Sequence, residues 1–321
     1  MKFELVREVI DCLPKGRTHF RYFKDGYAPR VLSLALPGEA SVRAIRKSSV
    51  GKLLQTRLMK NVLSHQGNGL IDPATLATLW CEPSCPYLLS LSSWRFESRR
   101  WSQVSRAGDN LVLQLNLPQV HDRLYAGHVG RRFRFNPCLG HPVQADRGQH
   151  EFRNTLAWAR IDLCFDTGEA LIEELQSDAV RQMQYLARCI TDCGCNSCQR
   201  QRRYLKWFAP YGEQWSEALL TASIEFIVNE LGIRKIFTHT ARSGWRVKKM
   251  DSEWQPPRSL YSTLPKKLAF QRVWNAPAFL LETRSYHALV RKQPDIDFYL
   301  LDLTWSDSNG QQHSSRGDGY V

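Results

Sequence analysis

The sequence of 321 residues lacks any hydrophobic run long enough to span a lipid bilayer. Its first residues, MKFELVREVIDCL, carry acidic side chains within their apolar periodicity, which is not the pattern of a secretion signal. No internal repeat is found, and the proportions of hydrophobic residues (43%) and charged residues (23%) are typical of globular proteins. These features predict a cytoplasmic protein without membrane contact.

Acidic residues are scarce, so the chain has a net charge of +13 from 44 Lys and Arg against 31 Asp and Glu. Residues 1–150 hold 22 basic and 11 acidic side chains, a net of +11, whereas residues 151–321 hold 22 and 20, a net of +2. A strongly basic half predicts binding to a polyanion such as nucleic acid or a ribonucleoprotein. The alternative is a solvated basic surface that only maintains solubility.

The hydrophobic periodicity predicts an α+β protein with two regions. Helical spacing dominates the basic N-terminal region, 1–140, and strand patterns appear in it from Pro86 onwards. The stretch 131–150, rich in Gly, Pro and charge, marks the boundary to a mixed-sheet domain over 150–305, and the polar tail 306–321 is predicted to be flexible. Strands are predicted at YLLSLSSW, NLVLQLNL, RFRFNP, 159–166, 169–175, 233–239, 270–274, 278–284 and 297–304, and later helices at 178–188, 214–231 and 260–268.

The nine cysteines, an odd number with irregular spacing, do not form the pattern of a secreted disulfide scaffold. Four of them follow the order C-x-x-x-C-x-C-x-x-C, and four thiolates so close can surround a structural zinc ion or an iron–sulfur cluster. We therefore predict a zinc knuckle in a Cys-rich insertion at 188–206, with unpaired surface thiols as the alternative. Its ligands would be Cys189, Cys193, Cys195 and Cys198. Cys138, elsewhere in the chain, is interpreted as core or incidental.

Acidic residues end the predicted strand 169–175, in the sequence LIEELQSD. Alternation along a strand predicts that Glu174 and Gln176 point to one face and Glu173 to the other. Burial of an unpaired carboxylate is costly, so at least one glutamate is expected to be held by a partner or to act as a base with a raised pKa. Structural alternatives are that Asp178 caps the next helix and that Glu174 forms an ion pair. The candidate catalytic residues of this segment are Glu173, Glu174, Gln176 and Asp178.

The sequence PYGEQWS, residues 210–216, is predicted to be a loop that enters a helix. Such a loop offers free backbone N–H groups to a phosphate or pyrophosphate. An ordinary capped amphipathic helix is the alternative. The candidate cofactor-binding residues are Tyr211, Gly212, Gln214, Trp215 and Ser216, and the cations after the strand 233–239 that would assist them are Arg242, Arg246, Lys248 and Lys249.

Two resemblances meet over residues 160–273. The sequence LIEELQSD resembles the EEIQSD signature of a domain in large polyvalent proteins of phages and mobile elements, which also has a later helix, a strand and a helix like Tyr261 to Lys266. The order of elements resembles the second half of the GNAT N-acyltransferase fold. This second resemblance implies acetyl-CoA held at residues 211–216, Glu173 or Glu174 as the base, and Tyr261 as the acid that protonates the leaving thiolate.

A nuclease is the competing class. Asp162, Glu174 and Gln176 fit the spacing of a PD-(D/E)xK nuclease, in which strand acids hold Mg²⁺, and cleavage of a phosphodiester would explain the basic half. The preferred prediction is a phage- or mobile-element-associated protein with a GNAT-like domain. It acts on or binds nucleic acid or a translation component, and is acyltransferase-like or a degenerate form of one. The alternatives are the nuclease and a non-enzymatic, zinc-containing nucleic-acid-binding protein.

Overall fold

The computed structural model describes residues 1–13, 18–67, 69–95, 103–130, 133–138, 140–143, 154–248 and 257–305, so the predicted tail 306–321 lies outside the described residues. The strands are β1 (Thr18–Phe23), β2 (Ala40–Ser41), β3 (Leu70–Ile71), β4 (Ser84–Trp94), β5 (Asn110–Asn116), β6 (Thr155–Cys164), β7 (Glu169–Gln176), β8 (Lys235–His239), β9 (Gln271–Val273) and β10 (Phe298–Asp302).

The α-helices are α1 (Phe3–Cys12), α2 (Tyr27–Ala35), α3 (Val42–Lys47), α4 (Arg57–Ser64), α5 (Pro73–Ala77), α6 (Gln119–His128), α7 (Asp178–Cys189), α8 (Asn196–Asn229), α9 (Ala241–Val247), α10 (Thr263–Lys267), α11 (Ala278–Leu281) and α12 (Arg284–Lys292). Short 3-10 helices lie at Gly51–Gln55 and Arg258–Tyr261. No described helix has both the length and the apolar character needed to cross a membrane.

In the part of the chain that the structure describes, one eight-stranded mixed sheet organises the protein, which is α+β as predicted. Its strand order is β1-β4-β5-β6-β7-β8-β10-β9, and β2 pairs with β3 in a separate small sheet. All neighbours in the large sheet are antiparallel except β7 and β8, which are parallel. Parallel neighbours need a crossover connection, and here α7 and α8 supply it.

The sheet and the main core extend across the predicted boundary at 131–150. β5, which lies before the boundary and is buried at every residue, pairs with β6, which lies after it. The main core also combines residues of both regions, such as Leu32 of α2 and Ile224 of α8. The two regions therefore share one sheet and one main core.

Helices cover the two faces of the sheet unequally. The long helix α8 packs against β6 and β7 and also contacts α2, α6 and α7. Ile172 of β7 faces this main core, whereas the neighbouring Leu171 faces a smaller cluster on the other side, together with Phe237 and Phe279. Phe298 of this smaller cluster lies 5.3 Å, between ring centres, from His239 at the carboxyl end of β8.

Local sequence signals explain several elements. Asp72, which precedes Pro73, caps α5, because its carboxylate accepts a hydrogen bond from the Thr75 backbone N–H at 2.9 Å. The predicted strand at 278–284 is wrong, since α11 begins at Ala278. Its run of apolar residues lacks the alternation of a half-buried strand and follows Pro277, which suits a helix start. RFRFNP is not a strand in its described residues, 133–137.

Candidate functional site

The strand β7 loses its parallel partner halfway along. Its residues pair with β8 as far as Ile172, which lies opposite Thr238. β7 continues to Gln176 and β8 to His239 without further pairing between them. Beyond such a point, the main-chain N–H and C=O groups no longer form hydrogen bonds with the neighbouring strand and must form them with other groups. The acidic end of β7 therefore lies where the two strands part.

A β-bulge occurs at the same point of β7. Ile172 lies opposite Ile161 of β6, but Glu174 lies opposite Arg160, so Glu173 is an additional residue without an opposing partner. A bulge bends the strand and changes the direction of its side chains. Strict alternation fails here, and the prediction that Glu173 and Glu174 occupy opposite faces is wrong.

Both glutamates contact groups on the same side of the sheet. Glu173 accepts hydrogen bonds from Ser105, and Arg160, which pairs with Glu174, donates to the carbonyl of Gln103 at 3.0 Å. The segment 103–105 thus covers both carboxylates. Glu173 is fully buried, whereas the side chain of Glu174 is 15% exposed.

Five buried residues form what we call the Glu173 cluster: Ser105, Glu173, His239, Ser243 and Lys248. The carboxylate of Glu173 accepts hydrogen bonds from the Ser105 backbone N–H at 2.9 Å and from its hydroxyl at 2.8 Å. His239 Nε2 lies 3.1 Å from Glu173 Oε2 and 2.9 Å from Ser105 Oγ, and its Nδ1 lies 3.1 Å from Ser243 Oγ. Lys248 donates to the Glu173 carbonyl oxygen, with its Nζ 3.9 Å from Oε2.

The electrostatics of the Glu173 cluster favour an ionised glutamate and a neutral histidine. Burial by itself raises the pKa of Glu173, but the hydrogen bond to His239 and the charge of Lys248 outweigh it, and the pKa is lowered to about 2. Burial lowers the pKa of His239, and the hydrogen bond with Glu173 does not fully offset this effect. Burial also lowers the pKa of Lys248. The cluster therefore contains a carboxylate that folding has supplied with partners, not the base of raised pKa that the sequence allows.

Glu174 forms an ion pair, as one of the structural alternatives predicts. Its carboxylate bonds to Nη2 of Arg160, whose guanidinium lies 4.9 Å from the ring centre of Trp94. Burial raises the pKa of Glu174, but the charges of Arg160 and Lys248 and the hydrogen bond from Arg160 together outweigh it, and the net shift is downward. The charge on this glutamate is thus balanced by a cation from the next strand.

The nuclease triad is not brought together as a set of available metal ligands. Asp162 is fully buried and accepts hydrogen bonds from Arg106 at 2.7 and 2.9 Å and from the amino group of Met1 at 3.1 Å. Glu174 is paired with Arg160, and Gln176 donates to Asp178. Each member therefore bonds to its own partner.

Tyr261 lies near the two glutamates, at the end of a 3-10 helix. Its ring is close to Gly244 of α9, where an added Cβ would lie 3.6 Å from a ring carbon. Burial raises the pKa of Tyr261 well above its ordinary value, and the negative charges of Glu174 and Glu173 raise it further. The phenol is therefore protonated across the physiological range.

Gln176 and Asp178 belong to a second cluster, which we call the Asp178 cluster and define as Cys138, His141, Gln176 and Asp178. Asp178 Oδ2 lies 2.5 Å from His141 Nδ1, and Oδ1 accepts a hydrogen bond from Gln176 Nε2 at 2.9 Å. Ser177, rather than Asp178, caps α7 by accepting from the Val180 backbone N–H. The carboxylate of Asp178 is thus not used as the cap, and its Oδ1 also lies 4.0 Å from Nη1 of Arg181.

The predicted cofactor loop is wrong. Tyr211, Gly212, Gln214, Trp215 and Ser216 all lie in the interior of α8, which begins at Asn196. Backbone N–H groups inside a helix are used by the helix and are not available to a phosphate. The alternative of an amphipathic helix holds for this segment, since the helix continues through Pro210 and the side chains of Tyr204, Phe208 and Tyr211 are buried in the main core. These residues do not fit the pyrophosphate of acetyl-CoA.

Three of the four predicted zinc ligands lie close together, and we call Cys193, Cys195 and Cys198 the cysteine cluster. Their sulfur atoms are within 4.8 Å of one another, and the sulfurs of Cys193 and Cys195 are 3.3 Å apart. Sulfurs around a tetrahedral zinc ion, with Zn–S bonds of about 2.3 Å, are about 3.8 Å apart. The three thiols are therefore spaced closely enough to hold a metal ion. Cys189 lies instead beside the hydroxyl of Tyr185.

The start of α8 favours ionisation of one of these thiols. Cys195 is the N-cap of the helix, and the backbone N–H of Cys198 and the thiol of Cys193 lower the pKa of Cys195 to about 7. The neighbouring sulfurs raise the pKa of Cys198 to about 12. Arg202 donates to the carbonyl oxygens of Ile190 and Thr191 and so fixes the turn before the helix.

Sequence reasoning missed most of the residues around the carboxylates. Ser105 and Arg160 carry no local signal, whereas the C-x-x-H spacing of Cys138 and His141 is a local signal for this histidine. His239 has a weak signal as a polar residue at the end of the apolar strand IFTH, and the sequence predicts Lys248 only as one of a group of phosphate-binding cations. The parting of two parallel strands is what brings these residues to one place.

Comparison with protein-family models, with curated proteins and with solved structures finds no match to this chain.

Proposed function

We propose that this protein is a nucleic-acid-binding protein built on a GNAT-like scaffold, a degenerate form in which acyl transfer is not the main activity. The observation that carries the proposal is the surface of residues 42–64, which comprises α3, the following 3-10 helix and α4. It contains no acidic residue. Its six cations, all exposed, are Arg43, Arg46, Lys47, Lys52, Arg57 and Lys60.

Like charges are brought together beside this surface. Burial lowers the pKa of Lys52, and the positive charge of Lys266 in α10 lowers it further. Positive charges from two elements thus lie close together here, and a bound polyanion would neutralise them. The basic surface belongs to the half of the chain with a net charge of +11.

The cysteine cluster supports the same proposal. A zinc ion held by Cys193, Cys195 and Cys198 would fix the start of α8, from which the exposed Arg200, Arg203 and Lys206 project. These cations are spaced three residues apart and lie along one side of the helix. No acidic residue occurs between Asn196 and Gly212. The helix therefore offers a second basic surface of defined orientation.

Salt-dependent binding tests this proposal. Three substitutions, Arg43→Gln, Arg46→Gln and Arg57→Gln, are combined in one variant, and the matched control neutralises Arg284, Arg291 and Lys292, three exposed cations of α12. Binding to fluorescent duplex DNA and duplex RNA is measured by anisotropy over a range of salt concentrations. Each lost phosphate contact lowers the slope of log K against log salt by about 0.9 for duplex DNA.

We expect the triple variant to lose about 2 to 3 units of slope, whereas the control keeps the wild-type slope. An equal loss of slope in the control would show that the effect depends only on net charge, and it would contradict the assignment of binding to residues 42–64. Absence of binding by the wild-type protein at low salt would reject the proposal altogether.

Acyl transfer, which the resemblance over residues 160–273 implies, is a second candidate function. In support of it, an antiparallel run of strands is followed by one parallel pair, β7 and β8, that parts at a bulge. The groups that this candidate would use are ionised Glu173, neutral His239 and protonated Tyr261, all of them buried. A rise in melting temperature with acetyl-CoA but not with ADP would favour this candidate.

Phage or mobile-element association remains a prediction that the LIEELQSD resemblance alone supports.

A further inference from the structure

We propose that Cys138, His141 and Asp178 form a second transition-metal site, suited to zinc, with a fourth position open to water or to a substrate group. The ligand atoms of these three residues lie within 4.8 Å of one another. The inference goes beyond the proposed function, since it requires neither nucleic-acid binding nor acyl transfer.

The backbone presents the first two ligands together. Cys138 and His141 occupy a turn in which the His141 backbone N–H donates to the Cys138 carbonyl at 3.3 Å. The turn is anchored, because the Pro142 carbonyl accepts from Gln114 at 2.7 Å and Val143 is buried beside the sheet. A C-x-x-H turn held in this way directs a sulfur and an imidazole to one place.

The third ligand, Asp178, is the first residue of α7, just after β7, and hydrogen bonds orient its carboxylate. Asp178 Oδ2 hydrogen-bonds to His141 Nδ1 at 2.5 Å, a contact that a bound ion would replace, while Gln176 donates to Oδ1 at 2.9 Å. Residues that hydrogen-bond to a ligating carboxylate fix its direction toward a metal. The His141 ring is held as well, with its centre 5.2 Å from that of Trp158 and 6.0 Å from that of Trp94.

The mixture of donors selects the kind of metal. One sulfur, one imidazole nitrogen and one carboxylate oxygen suit zinc and not magnesium or calcium, which prefer oxygen ligands. Three protein ligands are typical of zinc sites that keep a position for water. Cys138 is exposed, and the side chain of His141 is 28% exposed, so an ion can reach the ligands from solvent.

A nucleophilic cysteine is the competing interpretation, and the surroundings of Cys138 disfavour it. Reactive cysteines lie in positively charged surroundings that lower the pKa of the thiol. The Cys138 sulfur instead lies within 4.8 Å of a carboxylate oxygen of Asp178. A divalent ion would displace the proton of this thiol to solvent and bind the thiolate, which gives the three groups a common role.

Zinc analysis of the purified full chain tests the proposal. We expect two zinc ions per chain in the wild type, and one in each of two double variants, Cys138→Ser/Asp178→Asn and Cys195→Ser/Cys198→Ser. The matched control, Asp11→Asn/Cys12→Ser, removes an exposed carboxylate and thiol from outside both clusters and should keep two. Zinc content that is unchanged in Cys138→Ser/Asp178→Asn but lowered in Cys195→Ser/Cys198→Ser would overturn the site.

Alkylation of the wild type tests the site without any substitution, should the double variant fail to fold. Zinc added to metal-free protein should slow iodoacetamide modification of Cys138 at least about tenfold, with Cys12 as the reference thiol in the same sample. An equal rate with and without zinc overturns the proposal. The Gln176→Ala substitution should weaken zinc binding by about 10- to 100-fold, because it releases the carboxylate of Asp178.

Discussion

The Glu173 cluster and the cysteine cluster both bring polar groups together, but folding supplies hydrogen-bonding and charged partners only to the Glu173 cluster. In the Glu173 cluster, the carboxylate has a backbone N–H, a hydroxyl, an imidazole and an ammonium group around it, and all of its residues are buried. In the cysteine cluster, three sulfurs face one another near the surface, and the neighbouring sulfurs raise the pKa of Cys198.

The difference shows how burial decides what a group of polar side chains can do. Charges removed from water must find partners within the protein, so the Glu173 cluster contributes to the folded state as it stands. Thiols near the surface lose little free energy when they have no partner, because they are close to water. They are therefore available to bind a metal ion. The first cluster is therefore sensitive to substitution and to pH, and the second to metal.

Substitution of Glu173 should have the largest effect. Glu173→Ala leaves Lys248 buried without its carboxylate and removes the acceptor of Ser105, so we expect a loss of about 3–5 kcal/mol in the free energy of unfolding. Urea denaturation measures this loss. Glu8→Ala, an exposed change in α1, serves as the control and should stay within about 0.5 kcal/mol of wild type.

If the loss of unfolding free energy in Glu173→Ala is as small as in the control, water already solvates the Glu173 cluster. The two clusters would then not differ in burial as described above. Glu173→Gln sharpens the measurement because it keeps the shape of the side chain. Its loss should lie between those of Glu173→Ala and the control.

Zinc should stabilise the protein through the cysteine cluster by a smaller amount. At a free zinc concentration 100 times the dissociation constant, binding adds about 2.7 kcal/mol to the free energy of unfolding. Thermal or urea unfolding with zinc and with a chelator measures the gain. Cys195→Ser/Cys198→Ser should lose this contribution, whereas Cys12→Ser/Cys81→Ser, outside the cluster, should keep it. Equal gains in both variants would show that zinc acts elsewhere.

Low pH should reduce the free energy of unfolding through protonation of His239 in the unfolded chain. This is the smallest of the effects expected here. The folded-state pKa of His239 is depressed, so below the unfolded value of about 6.5 the unfolded chain binds a proton that the folded chain does not. Stability therefore falls as pH falls from 6.5 toward the folded pKa, by up to about 1.4 kcal/mol per pH unit for each such histidine. His121 shares this depression because it is also buried.

Urea denaturation between pH 7 and pH 5 tests this dependence. His239→Gln should reduce the slope of stability against pH, and the exposed His65→Gln should leave it unchanged. At lower pH, protonation of Glu173, whose pKa is lowered to about 2, should cause a further loss that begins near the unfolded value of about 4.3. If His239→Gln leaves the slope of stability against pH unchanged, the result would indicate that His239 is in contact with water.

The elements that were predicted well carry their signals locally. The strand β7 and the helix α7 follow directly from LIEELQSD and the periodic residues after it, and they begin where predicted. The start of α8 was misplaced because PYGEQWS reads as a turn, while burial of Tyr204, Phe208 and Tyr211 keeps the helix continuous through Pro210. Tertiary packing outweighed local preference there.

By itself, the sequence determined the acidic end of β7, the group of closely spaced cysteines and the basic segment 42–64, since each depends only on neighbouring residues. Only the tertiary structure decided that Ser105 meets His239, 134 residues away, and that Lys248 reaches Glu173, 75 residues away. The bulge and the parting of β7 from β8 cause these meetings, and both arise from pairing between distant strands. Spacing along a chain cannot encode such pairing, because the register of distant strands is settled only when they are buried together.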